Sequence, residues 1–134
     1  MLKINTPFTG GCRCGAIRYR VTDRPTYSGI CHCDDCRRAT GGAFVPWLGA
    51  TPEAFEVTKG TIKEYQSSPG VWRGFCQTCG SPLTYRGDGW TDIALTIASL
   101  DDPNAITPES NVVLKERLHW VQINDEMRNY DGLP

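Results

Sequence analysis

Seven cysteines in a chain of 134 residues carry most of the chemistry on offer, and they fall into three groups: Cys12-x-Cys14, Cys31-x-Cys33-x-x-Cys36 and Cys76-x-x-Cys79. On an extended stretch, Cys12 and Cys14 present both sulfurs to one side. A Cys-x-x-Cys closed by glycine, as in Cys79-Gly80-Ser81-Pro82, forms a tight knuckle whose sulfurs converge. A redox pair would instead open a helix to lower its thiol pKa, and Gly80 and Pro82 forbid that continuation. Cys76 and Cys79 therefore read as metal ligands. Paired with Cys12 and Cys14 they supply four thiolates, enough to close a tetrahedral structural zinc and clamp an N-terminal strand to a mid-chain hairpin. Cys31, Cys33 and Cys36 remain as three thiolates with a fourth position open, the arrangement of a catalytic zinc. Two alternatives stand beside that reading: His32 or His119 closes the triplet as a fourth ligand, or the triplet holds no metal. His32 lies between two ligands, so its ring is expected to point away from the metal and to orient the loop or line a pocket. Two zinc ions per chain are expected, the second more labile.

The elements that must position these sulfurs read as short strands. Ile17, Tyr19 and Val21 alternate with Arg18 and Arg20, the period-2 pattern of a half-buried strand over residues 16–21. Further strands are expected at 43–48, 55–57, 62–65, 71–75, 83–85 and 93–98, each bounded by Gly, Pro, Ser, Asp or Thr. Pro46 marks the first of these, 43–48, as an edge or bulged strand. Helix is sparse: one or two turns over residues 34–40, ended by Gly41-Gly42, and a short turn at 103–106. Trp72, Trp90 and Trp120 read as packing residues. The 14 glycines and 9 prolines are scattered between these runs, as in a turn-rich, mostly β protein. No repeat or linker divides the chain, so residues 1–134 are expected to form a single domain. Lys and Arg number 14 against 15 Asp and Glu, which leaves no net field to recruit nucleic acid or an anionic membrane. No stretch approaches the roughly 18 apolar residues of a membrane span, and no signal-like block opens the chain. A cytoplasmic protein with reduced thiols is the expectation.

The segments Gly11-Cys12-Arg13-Cys14-Gly15-Ala16-Ile17-Arg18-Tyr19, Cys31-His32-Cys33-Asp34-Asp35-Cys36-Arg37-Arg38-Ala39-Thr40-Gly41 and Phe75-Cys76-Gln77-Thr78-Cys79-Gly80-Ser81-Pro82-Leu83 resemble the glutathione-dependent formaldehyde-activating enzyme family in order, spacing and flanks, over residues 9–134. The resemblance implies a β-tent fold of stacked antiparallel sheets. It also implies a structural zinc on Cys12, Cys14, Cys76 and Cys79 and a catalytic zinc on Cys31, Cys33 and Cys36. The implied activity joins glutathione and formaldehyde into S-hydroxymethylglutathione, a carbon–sulfur lyase reaction run in reverse. Glutathione carries two carboxylates, for which Arg37 and Arg38 are candidate donors; the alternative is a solvated face paired with Asp34 and Asp35. Trp47 is a candidate pocket wall or a core aromatic, and Asp35 a candidate general base. The chain departs from many relatives at Asn111, where they carry His after a Pro-x-x stretch. Two rival classes remain. One is a zinc-stabilised protein-binding module; the other is a redox enzyme of the methionine sulfoxide reductase type, which needs a nucleophilic cysteine outside the metal sites.

Overall fold

A computed structural model describes residues 3–134. The chain runs through β1 (Phe8–Gly11), β2 (Arg18–Val21), β3 (Tyr27–Cys31), α1 (Asp34–Thr40), β4 (Val45–Ala50), β5 (Phe55–Lys59), β6 (Lys63–Ser68), β7 (Val71–Phe75), β8 (Pro82–Gly87), β9 (Ile93–Thr96), β10 (Ser110–Val112) and β11 (Arg128–Asn129). Short 3-10 turns follow at Ile97–Ser99, Pro103–Ala105 and Leu114–Glu116. The fold is mostly β. A three-stranded sheet has the order β1-β2-β5, and an eight-stranded sheet the order β11-β10-β3-β4-β9-β8-β7-β6. Pairing is antiparallel except at β10, which lies parallel to both β3 and β11. Among the described residues no helix is long and apolar enough to cross a membrane.

Period-2 alternation works in β2 as the pattern requires: Tyr19 and Val21 are buried while Arg20 faces solvent. These two side chains share one core with Leu48, Leu83, Leu95 and Cys76, drawn from both sheets. Tyr19 ties the sheets together. Its hydroxyl meets Ser99 Oγ at 2.7 Å, and Gly10 forms a bridge to Leu100. Gly10 has no side chain for a steric reason: a Cβ there would stand 2.4 Å from the Tyr19 hydroxyl.

Several expectations are corrected. Pro46 is not on an edge strand, because β4 lies between β3 and β9 inside the larger sheet. Pairing with β9 begins at Trp47↔Thr96, so the residue lacking an N–H stands just beyond that ladder. The strand expected at 93–98 ends at Thr96 and continues as a 3-10 turn. Trp120 is 63% exposed and is not a packing residue, whereas Trp90, though on the surface, packs its ring edge-on against Tyr85 at 5.3 Å and over Gly87. Trp72 is half-buried, with Arg86 over its ring and its indole N–H donating to Asp88.

Candidate metal centres

Each cysteine group is set by a local turn. Cys12 does not sit in an extended stretch: residues 13–14 form a turn, and Gly15 adopts a left-handed φ of 81°. That turn brings the Ile17 amide within 3.2 Å of Cys12 Sγ, where it donates to the sulfur. The reason the extended reading fails is Gly15, which alone among these residues takes that φ without strain. The β7–β8 knuckle is closed in the same manner. Gly80 has φ 80°, its amide donates to Cys76 O at 2.7 Å, and the Cys79 amide donates to Cys76 Sγ at 3.5 Å. Cys12 and Cys14 sulfurs are 3.6 Å apart, and Cys14 and Cys76 sulfurs 3.8 Å. All four ligand atoms lie within 4.8 Å of one another. The Ser81 hydroxyl, 3.1 Å from Cys79 Sγ, holds that thiol down at about 5. Ser81 Oγ also accepts from the Arg13 amide, joining the two knuckles directly.

The second cluster is built at the end of β3 and the start of α1. Cys33 has extended backbone and is the helix N-cap; its sulfur accepts from the Cys36 amide at 3.3 Å. Asp34 and Asp35 occupy the first turn, where carboxylates complement the helix dipole, and Gly41 closes the helix in the left-handed conformation. Cys31, Cys33 and Cys36 sulfurs lie within 4.8 Å of one another. Among the described residues no histidine or carboxylate joins them. Cys36 is held far below the ordinary thiol range because it accepts from the Cys31 and Cys33 thiols and from the Arg73 guanidinium. Cys31 is pushed up by the same sharing, chiefly through Cys33. Arg73 thus favours the ionised form of the sulfur it faces.

His32 turns away from the sulfurs. It is 1% exposed, and its Nε2 meets Asn111 Oδ1 at 2.9 Å. Asn111 Nδ2 donates to Asn129 Oδ1, and Asn129 Nδ2 to Asn124 O, which orients the amides and makes His32 Nε2 the donor. The His32 amide donates to Val112 O. The loop between Cys31 and Cys33 is thus anchored to β10. His119 is exposed and belongs to neither cluster.

The structure separates the candidate arginines. Arg37, 17% exposed, donates to the carbonyls of His32 and Glu116 and pairs with Asp34, so its guanidinium fastens the loop to the C-terminal segment. Arg38 is 81% exposed and pairs with Asp34 one turn back. Asp35 is exposed. Trp47 is buried in β4, packs with Cys36 and Val45, and has its ring 5.6 Å from Tyr85.

Arg73, on β7, is a site residue that sequence reasoning missed. It is 6% exposed, places Nη2 3.6 Å from Cys36 Sγ, and stacks its guanidinium 4.2 Å above the Tyr85 ring. The available signal was a cation at the centre of the apolar run Val71-Trp72-Arg73-Gly74-Phe75, three positions before Cys76.

Comparisons with known proteins agree with this geometry. The family model described as glutathione-dependent formaldehyde-activating enzyme matches residues 7–116. A Halomonas elongata protein named "Putative glutathione-dependent formaldehyde-activating enzyme" is 30% identical over 138 residues, spanning 93% of this chain and 87% of that protein. The crystal structure of a Rhodobacter sphaeroides protein aligns with a TM-score of 0.58 at 21% identity, covering 91% of this chain and 98% of the other, which shows a shared fold. With its family model matched over most of its length, the chain belongs to the glutathione-dependent formaldehyde-activating enzyme family.

Proposed function

We propose that the chain is a cytoplasmic, zinc-dependent carbon–sulfur lyase acting on a thiol adduct, with glutathione and formaldehyde giving S-hydroxymethylglutathione as the candidate reaction. The observation that carries this reading is the Cys31, Cys33 and Cys36 cluster, three sulfurs within 4.8 Å with no fourth protein donor among the described residues. Soft thiolates fit zinc, and the four-sulfur set of Cys12, Cys14, Cys76 and Cys79 fits a closed structural ion. When bound at the three-sulfur set, zinc supplies Lewis acidity and lowers the pKa of a thiol brought to it.

The chain's own residues do the rest. Arg73 favours the ionised form of Cys36, and Trp47 and Tyr85 wall the cluster with apolar surface. Arg37 and the His32–Asn111 pair hold the loop that carries Cys31 and Cys33. In the reaction, the thiol sulfur adds its electron pair to the carbonyl carbon, the C=O π pair moves to oxygen, and the thiol proton ends on that oxygen. Cleavage is the reverse.

Elemental mass spectrometry on protein purified without chelator is expected to give two zinc per chain. Cys33→Ser is expected to retain the fold, keep one zinc and lose glutathione-dependent turnover. Unchanged turnover in that variant would overturn the assigned role. In cobalt-substituted protein, a visible spectrum that glutathione does not alter would instead favour the protein-binding module.

A further inference from the structure

A cavity of about 250 Å³ lies between α1 and the β7–β8 hairpin, lined by Thr40, Trp47, Tyr65, Arg73, Pro82 and Thr84 among others; none of the three cysteines lines it, and it reaches the cluster through Arg73 and Trp47, both in contact with Cys36. No acidic residue lines it. Arg73 is therefore the one charge in an otherwise neutral wall. A buried guanidinium ordinarily requires a paired anion, since desolvation costs several kcal/mol, and Cys36 meets that need through a single N–H. Among the described residues no carboxylate pairs with Arg73; its partners are Cys36 Sγ and the face of Tyr85. An Arg side chain has five N–H donors in a planar fork, and Nη2 alone is engaged by the sulfur.

We propose that this cavity is an anion site in which Arg73 receives the carboxylate of a short mercaptocarboxylate, and that Arg73 thereby sets specificity at the three-sulfur cluster. The proposal rests on the thiol reading of that cluster. A carboxylate hydrogen-bonded to Arg73 lies roughly 6–7 Å from Cys36 Sγ, the 3.6 Å contact plus one further hydrogen bond. A ligand thiol seated beside Cys36 and a carboxylate on Arg73 within that span belong to one short carbon chain. Thr40, Thr84 and the Tyr65 hydroxyl supply the neutral polar groups of the same cavity.

Calorimetric titration of the zinc-loaded chain with 3-mercaptopropionate, 2-mercaptoethanol and propionate tests this. The wild type is expected to bind 3-mercaptopropionate at least about tenfold more tightly than 2-mercaptoethanol, a difference of about 1.4 kcal/mol. In Arg73→Gln the ratio is expected to fall to about one, with zinc content unchanged, and Arg73→Lys is expected to keep part of it. No preference in the wild type, or the same preference in Arg73→Gln, overturns the proposal. A variant that loses zinc, with no carboxylate preference in the wild type, assigns Arg73 to neutralising the cluster and also overturns it. Propionate bound as tightly as 3-mercaptopropionate, both through Arg73 and with 2-mercaptoethanol unbound, upholds the anion site and sinks the thiol reading. Equal binding of both thiols does the reverse. If Arg73→Gln does not fold, the wild-type ratio and Arg73→Lys decide.

Discussion

At the scale of the residue, the candidate site depends on side chains that touch no sulfur. His32 is buried between Cys31 and Cys33, and the bond from its Nε2 to Asn111 satisfies one of its two ring nitrogens; Nδ1 has no partner among the described residues. Asn111→Ala would leave Nε2 unpaired as well, and unfolding in urea is expected to show a loss of about 1–3 kcal/mol. A loss below about 0.5 kcal/mol would mean the amide is dispensable. The grouping of the seven cysteines into a set of four and a set of three was legible from sequence because residue type and spacing are local properties. Asn111 as the partner of His32 was not, since their contact spans 79 positions. Arg73 escaped notice for a related reason. An arginine on a short strand reads as solvent-facing, and only the Tyr85 ring and Cys36 sulfur, brought from other elements, explain its burial. The extended reading of Cys12-x-Cys14 failed on the turn at Gly15.

At the scale of the element, β7 carries both the arginine and the approach to the second knuckle, and its fit against β8 is tight. A Cβ at Gly74 would stand 2.0 Å from Thr84 Oγ1 and 2.6 Å from Ile62 Cγ2. Thr84 is β-branched and buried, so it cannot turn aside freely. Gly74→Ala is expected to cost about 1–3 kcal/mol by overpacking and to lower the melting temperature. An unchanged melting temperature would show that the hairpin relaxes. Strand β7 and helix α1 emerged from sequence at their observed bounds, Val71–Phe75 and Asp34–Thr40, because an apolar run opened by Pro69-Gly70 in one and the glycine stop in the other are local signals. Strand β3 did not. Ser28 and Gly29 weaken its pattern, and Gly29 is required by packing, since a Cβ there would meet Ser110 Oγ of β10 at 2.8 Å. The two-residue β11 exists only through its pairing with β10.

At the scale of the whole molecule, the two sheets are joined by the four-cysteine cluster, by Tyr19 against Ser99, and by Arg18 of β2 against Asp101. Arg18 grips both oxygens of Asp101, which also accepts from Thr9 Oγ1. These donors, Arg18 first, hold the Asp101 carboxyl below its ordinary 3.8. A carboxylate whose folded pKa is depressed contributes stability above its unfolded pKa, and the contribution is lost as pH falls through the folded value. The side chains are 36% and 46% exposed, so the contribution is discounted to a few tenths to about 1 kcal/mol. Asp101→Asn is expected to lower the unfolding free energy in urea at pH 7 by that much, with the difference from the wild type shrinking as pH falls through the depressed folded value. A difference that persists at low pH would assign the effect to shape rather than charge. The other long-range tie, between the loop of Cys31 and Cys33 and the C-terminal third, has a consequence in time. The loop is synthesised early, yet its anchors at Asn111, Val112 and Glu116 come last, 79 positions after His32 in the case of Asn111. At roughly 5–20 residues per second, a ribosome takes about 4–16 s to cover that distance. For those seconds three thiols stand beside one another on a nascent chain whose loop β10 cannot yet anchor, and the metal and reductant present during translation decide what they first bind.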